Sequence, residues 1–144
     1  MRFRATLGLD DARAALDAML AEAERRGGRP LAFAVTDDCG ELVCFAAMAG
    51  VNAALARQNA FKKAYTAAVM RADTLAYEQR LADAGMRVAD MGNPQFIGGG
   101  GGAVVEAPDG TALGGLGVSG RPAEEDEAVV QVGKAAITRA LWGG

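Results

Sequence analysis

Residues 52–70 contain neither glycine nor proline, and alanine returns at every fourth position, as Ala56, Ala60, Ala64 and Ala68. That spacing predicts a helix with its alanines on one face, which is almost without side chains. Such a face lets another element, or a second copy of the chain, approach closely.

The elements around this helix follow from pattern and punctuation. Residues 10–26 place Ala12, Leu16, Met19, Leu20 and Ala23 at helical spacing, open on Asp10 and Asp11 and stop at Gly27 and Gly28, so an amphipathic helix is expected there. Large and small side chains alternate over residues 31–35. Turn chemistry follows in Asp37, Asp38, Cys39 and Gly40, then Leu42 to Phe45, which reads as a β-hairpin. Asp73 is placed to cap a short helix over residues 74–83 that Gly85 ends. Five glycines, Gly98, Gly99, Gly100, Gly101 and Gly102, lead into Ala103 to Glu106, a turn at Pro108, Asp109 and Gly110, and a strand-like segment over residues 111–118. Pro122 then starts a last helix with Glu124, Glu125, Asp126 and Glu127 in its first turns, an arrangement that suits the helix dipole. Its apolar stripe is Val129, Val132, Ala136, Ile137 and Leu141. Helices and hairpins follow one another without βαβ alternation, which predicts an α+β fold with an antiparallel sheet. No linker or repeat interrupts the sequence, so a single domain over residues 1–144 is expected.

Composition narrows the function. The net charge is −3, and no basic cluster exceeds Arg25-Arg26 or Lys62-Lys63, so a nucleic-acid partner is not expected. The N-terminal segment has two arginines but no apolar stretch, and no run nears the roughly 18 apolar residues of a membrane span. The expectation is a cytoplasmic chain with no membrane association. Cys39 and Cys44 are read as two free thiols of a reduced compartment. The chain has no histidine, which removes the commonest general base, the commonest metal ligand and the usual haem ligand together. No metal site is expected.

Several motifs carry two readings. Gly115, Gly117 and Gly120 match a dinucleotide fingerprint, but no further strand follows the last helix, and its acidic first turns would repel a pyrophosphate. The glycine run is either a surface loop or close backbone contact, or else a concave row of N–H groups for an anion, walled by Phe96 and Ile97. Asn59, Lys63, Thr66 and Met70 share one helix face, either a solvated face or a binding one. The acids 124–127 are explained by the dipole alone, or supply an acid/base if one of them is buried.

Three segments together resemble the GlcG/HbpS-like family. They are Phe33 to Gly40 with Glu41-Leu42-Val43; Ala60 to Ala67 running on to Thr74-Leu75; and Gly101-Gly102 with residues 114–120 and Asp126-Glu127. The resemblance covers nearly the whole chain in order. It implies a profilin-like fold, an antiparallel sheet of about five strands with flanking helices, and a homo-oligomer, either a dimer or an assembly of dimers. Members include a protein of glycolate-utilisation operons, extracellular haem-binding proteins and the C-terminal domain of some cobalamin adenosyltransferases. Where the family often reads Arg-Met-Asp-Gly after its second strand, this chain has Ala47-Met48-Ala49-Gly50, and Val104 stands where the family often has proline. The cofactor is left open by the sequence, and the resemblance allows haem. Without histidine it would have to be held by Met, Tyr or Cys, or in a hydrophobic slot with no axial ligand.

The expected function is binding of a small molecule, a tetrapyrrole or an organic acid, between the Lys63 helix and the glycine loop. The alternative is a cofactor-independent isomerase, lyase or hydrolase acting on a small organic acid. Asn59, Lys63 and Thr66 would face Phe96, Ile97 and the five glycines, with Ser119 as a hydrogen-bond donor. Lys63 and Asp126 are the candidate catalytic groups. Lys63→Ala is expected to cost binding or activity about tenfold or more with the fold intact, and Lys62→Ala much less.

Overall fold

The computed structural model describes residues 1–143. Its order is α1 (Leu9–Arg26), β1 (Ala32–Asp37), β2 (Leu42–Ala47), α2 (Ala56–Met70), α3 (Thr74–Asp83), a 3-10 turn (Val88–Met91), β3 (Gly102–Glu106), β4 (Ala112–Ser119) and α4 (Ala123–Trp142). The strands form one antiparallel sheet in the order β2-β1-β4-β3. The fold is α+β, as the sequence predicts.

The two faces of the sheet are packed differently, and the period-2 alternation of each strand decides which residue goes where. Leu31, Phe33 and Val35, with Leu116 and Val118 of β4 and Ala103 and Val105 of β3, face α1 and α4 and meet Met19, Val129 and Ile137. Each large side chain buried there contributes roughly 1.5–3 kcal/mol. The opposite face offers Ala32 and Ala34 of β1 to Ala56, Ala60 and Ala64 of α2. On β4 it is glycine that meets the helix. A Cβ on Gly115 would run into the Ala64 carbonyl oxygen and one on Gly117 into that of Ala60. The alanine stripe is therefore a main-chain contact surface against the sheet. The same geometry disposes of the dinucleotide motif, because its first two glycines are used up in packing against α2.

Four details differ from the sequence expectations. The sheet has four strands rather than about five, because residues 88–101 form the 3-10 turn and an irregular glycine segment. Gly99 and Gly101 have φ of 82° and 112° there, which no strand accommodates. Helix α2 begins at Ala56, since Asn52 Oδ1 accepts the N–H groups of Ala54 and Leu55 and holds a turn in front of it. Asp73 does not cap α3 with its side chain. Its carboxylate instead reaches the Val104 N–H at 2.9 Å, Gln131 Nε2 at 2.9 Å and Lys134 Nζ at 3.1 Å, tying α3 to β3 and α4. On α4, Val132 is exposed and Gly133 takes the buried position against Met19.

Among the described residues no helix is long and apolar enough to cross a membrane. Cys39 and Cys44 carry free thiols.

Candidate functional site

The residues singled out from the sequence fall into three neighbouring groups along α2. The central one is an ion pair. Lys63 is 6% exposed and Asp126, in the first turn of α4, 2%. Lys63 Nζ donates to Asp126 Oδ2 at 3.0 Å and to the Val118 carbonyl at 2.9 Å, while Asp126 Oδ1 accepts the Arg121 N–H at 3.1 Å. Burial pushes the Asp126 carboxyl above its ordinary value, against the pull of the Lys63 ammonium and of the Arg121 and Gly120 N–H groups. Both carboxylate oxygens already have partners, so acid/base work by this group requires the pair to open.

The glycine run lies directly over this pair. A Cβ on Gly101 would fall 2.6 Å from the Val118 oxygen, 2.8 Å from Lys63 Nζ and 3.0 Å from Asp126 Cβ. The φ of 112° at Gly101 strains any other residue as well. The N–H groups of Gly101 and Gly102 are not free for an anion. They donate to Glu127 Oε1 and Thr74 Oγ1, both at 3.0 Å, and the Thr74 hydroxyl donates to the Gly99 carbonyl at 2.6 Å. Of the two readings open in the sequence, close backbone contact describes Gly100, Gly101 and Gly102, which are buried. Gly98 and Gly99 are half-buried.

The second group is aromatic. The ring of Phe96 lies between those of Tyr65 and Tyr77, with centroids 6.0 and 6.1 Å away. Beside it, Thr66 Oγ1 accepts the Ile97 N–H at 3.0 Å. Thr66, Phe96 and Ile97 are thus brought together, at the opposite end of the Lys63 face from Asn59.

The third group opens to solvent. Asn59 and Ser119 line a cleft of about 410 Å³ between the start of α2 and the β4–α4 turn, together with Arg29, Asn52 and Arg121. No carboxylate is among its lining residues, and Leu55, Ala56 and Pro30 form its apolar part. The start of α2 also brings the positive end of its dipole to this cleft. Arg29, Asn52 and Arg121 were not singled out by the sequence reading. The signal available was the placing of Arg121 straight after the Gly-Val-Ser-Gly turn, which ties its backbone to the end of β4. A larger cavity, about 540 Å³, lies between the N-terminal segment and the hairpin tips, far along the chain from Lys63. Its lining mixes Arg4 and Arg71 with Asp38 and Asp109, and Arg4 is already paired with Asp38 at 2.8 Å.

A family model described as "Haem degrading protein HbpS-like" matches residues 7–135. Among solved structures, a double mutant of HbpS from Streptomyces reticuli is 29% identical, with a TM-score of 0.82 over 94% of this chain and 89% of that one. The PduOC–haem complex is 24% identical, with a TM-score of 0.78 over 91% of this chain and 94% of that one. The ORFY protein of Klebsiella pneumoniae is 21% identical, with a TM-score of 0.84 over 96% and 94%. The last two show likeness of fold. No curated protein matches the chain significantly.

Proposed function

The chain belongs to the HbpS-like family, and on that premise we propose that it is a small-molecule-binding protein whose ligand is a small organic anion seated in the cleft at the start of α2. The observation that carries this reading is the lining itself. In a chain of net charge −3, the cleft gathers two arginines, two asparagines and a serine with no acid, and convergent polar groups beside an apolar wall are what a small-ligand site requires. The pocket shares α2, Asn59 and Ser119 with the site expected from the sequence, but opens towards Arg29 and Arg121 rather than towards the glycine run.

Haem, which HbpS-like relatives bring to mind, does not fit this cleft. Its lining holds no thiol, thioether, phenol or imidazole to act as an axial ligand, and its apolar part is too small a share for a macrocycle. Small carboxylates are expected to raise the melting temperature of the purified protein, and any saturable Soret shift with haemin is expected to survive substitution of Arg29 and Asn52. A saturable Soret shift, lost on substituting cleft residues, would overturn the reading.

Self-association belongs to the same proposal. Strand β2 ends the sheet, and Leu42 on it is 51% exposed, so a second copy would remove an open edge from water. Light scattering at micromolar concentration is expected to give a multiple of 14.7 kDa; the monomer mass would remove the claim.

A further inference from the structure

We propose that Arg121 anchors the ligand, which is a small carboxylate serving as the missing counter-ion of its guanidinium; this rests on the cleft reading above. Arg121 is 7% exposed, yet among the described residues its side chain pairs with no carboxylate. Nε donates to the Arg29 carbonyl at 2.7 Å and Nη2 to the Ala23 carbonyl at 3.0 Å. Nη1 is buried with no acceptor at all.

A guanidinium cannot shed its charge as a buried lysine does, and buried charges are paired or ligated. The obvious acid, Asp126, is matched one for one with Lys63 and takes only the main-chain N–H of Arg121. Ala23 belongs to the last turns of α1, whose dipole supplies a partial negative charge at most. Arg29, exposed on the same cleft, adds a second positive charge. Three independent facts therefore meet at one place: an unbalanced buried cation, an unpartnered N–H on it, and a cavity it lines that contains no acid.

The remaining lining describes the rest of the ligand. Its carboxylate pairs with the guanidinium, its body lies along Ala56 and Leu55, and Asn59 and Ser119 take any further polar group. The Gly28 backbone lies against the guanidinium, where a Cβ would sit 3.3 Å from Nε, and Gly27, Gly28 and Arg29 are all exposed. An entering anion has to shift that segment and take over the bond that Nε makes to the Arg29 carbonyl.

The test uses 15N-labelled protein titrated with benzoate and with benzamide, its neutral isostere. Benzoate is expected to shift the Arg121 Nε–H resonance and the amides of Asn59 and Ser119, and to bind at least about tenfold more tightly than benzamide. Arg121→Lys, if folded, is expected to weaken benzoate about tenfold or more, because a point charge replaces the fork; if it does not fold, the wild-type contrast stands alone. Equal binding of benzoate and benzamide in the cleft overturns the role of Arg121 and the anionic character of the ligand, and leaves the cleft standing as a small-molecule site. If neither compound shifts any cleft resonance at millimolar concentration, the cleft reading fails and takes this inference with it.

Discussion

Replacing Lys63 by methionine keeps the length of the buried stem and removes the charge. Asp126 is then left 2% exposed with only main-chain N–H groups, those of Arg121 and Gly120, to hold its charge, and the Val118 carbonyl loses a donor. At 3.0 Å the lost attraction is about 5 kcal/mol for an effective dielectric of about 20. The wild-type pair gives most of that back in desolvation, but the variant keeps the desolvation cost of the surviving charge, so about 3–5 kcal/mol is expected to be lost. That is a large share of the 5–15 kcal/mol of a typical domain, so substitutions at Lys63 are expected to weaken the fold as well as any binding. The sign with pH follows from Asp126. Its folded pKa is raised above 3.8 by burial, so stability from this group is fully present below that value and declines as pH rises through the folded pKa. Without Lys63 the folded pKa rises further, and the deficit of the variant grows towards neutral pH and shrinks in acid. Urea denaturation at pH 7.5 and pH 5 measures both. The double variant Lys63→Met/Asp126→Leu is expected to recover most of the loss, and Lys62→Ala to stay within about 0.5 kcal/mol of wild type. A loss below about 1 kcal/mol for Lys63→Met, or the same loss at both pH values, would refute the reasoning.

Gly117→Ala sets a methyl group against the main chain of Ala60 and Ala64, atoms that cannot turn aside, and is expected to cost about 3 kcal/mol or more; Gly110→Ala, with φ of 88° and open space around its Cβ, costs only about 1 kcal/mol. Similar melting temperatures for the two variants would contradict the packing described for α2. Arg25 and Arg26 hold the Glu22 carboxylate at 2.6–2.8 Å and lower its pKa to about 2. The stability it adds is present above pH 4.5 and lost as pH falls through about 2, so an NMR titration of Glu22 with a midpoint above 4 would exclude this arrangement.

The fold was legible where local signals and burial agree. The alanine stripe, the glycine stops, the turn residues and the strand-like segments placed all four helices and all four strands within a few residues. Two of the misplaced parts are ones where a side chain makes a bond over a long sequence distance. Asp73 reads as a cap because a cap is local, while the partners it takes, Val104, Gln131 and Lys134, are brought to it by the sheet and α4. The count of about five strands came with the resemblance, whereas the glycine run has no intrinsic preference, and Thr74 and Glu127 fix its backbone from two other helices.

The site divides along the same line. Lys63 and Asp126 were both singled out, and the structure joins them as partners of each other. Two opposite charges that each look functional in a sequence satisfy one another when folding brings them within 3.0 Å. What then remains to bind an outside anion is the charge that folding leaves unmatched. Arg121 is such a charge. Its place after Gly-Val-Ser-Gly can be read in the sequence, but its isolation cannot, because that depends on Asp126 being occupied by Lys63 from α2 and on Ala23 of α1 and Arg29 offering carbonyls in place of a carboxylate. An unmatched buried charge belongs to the packed chain as a whole, which is why this candidate emerges only once every pair has been made.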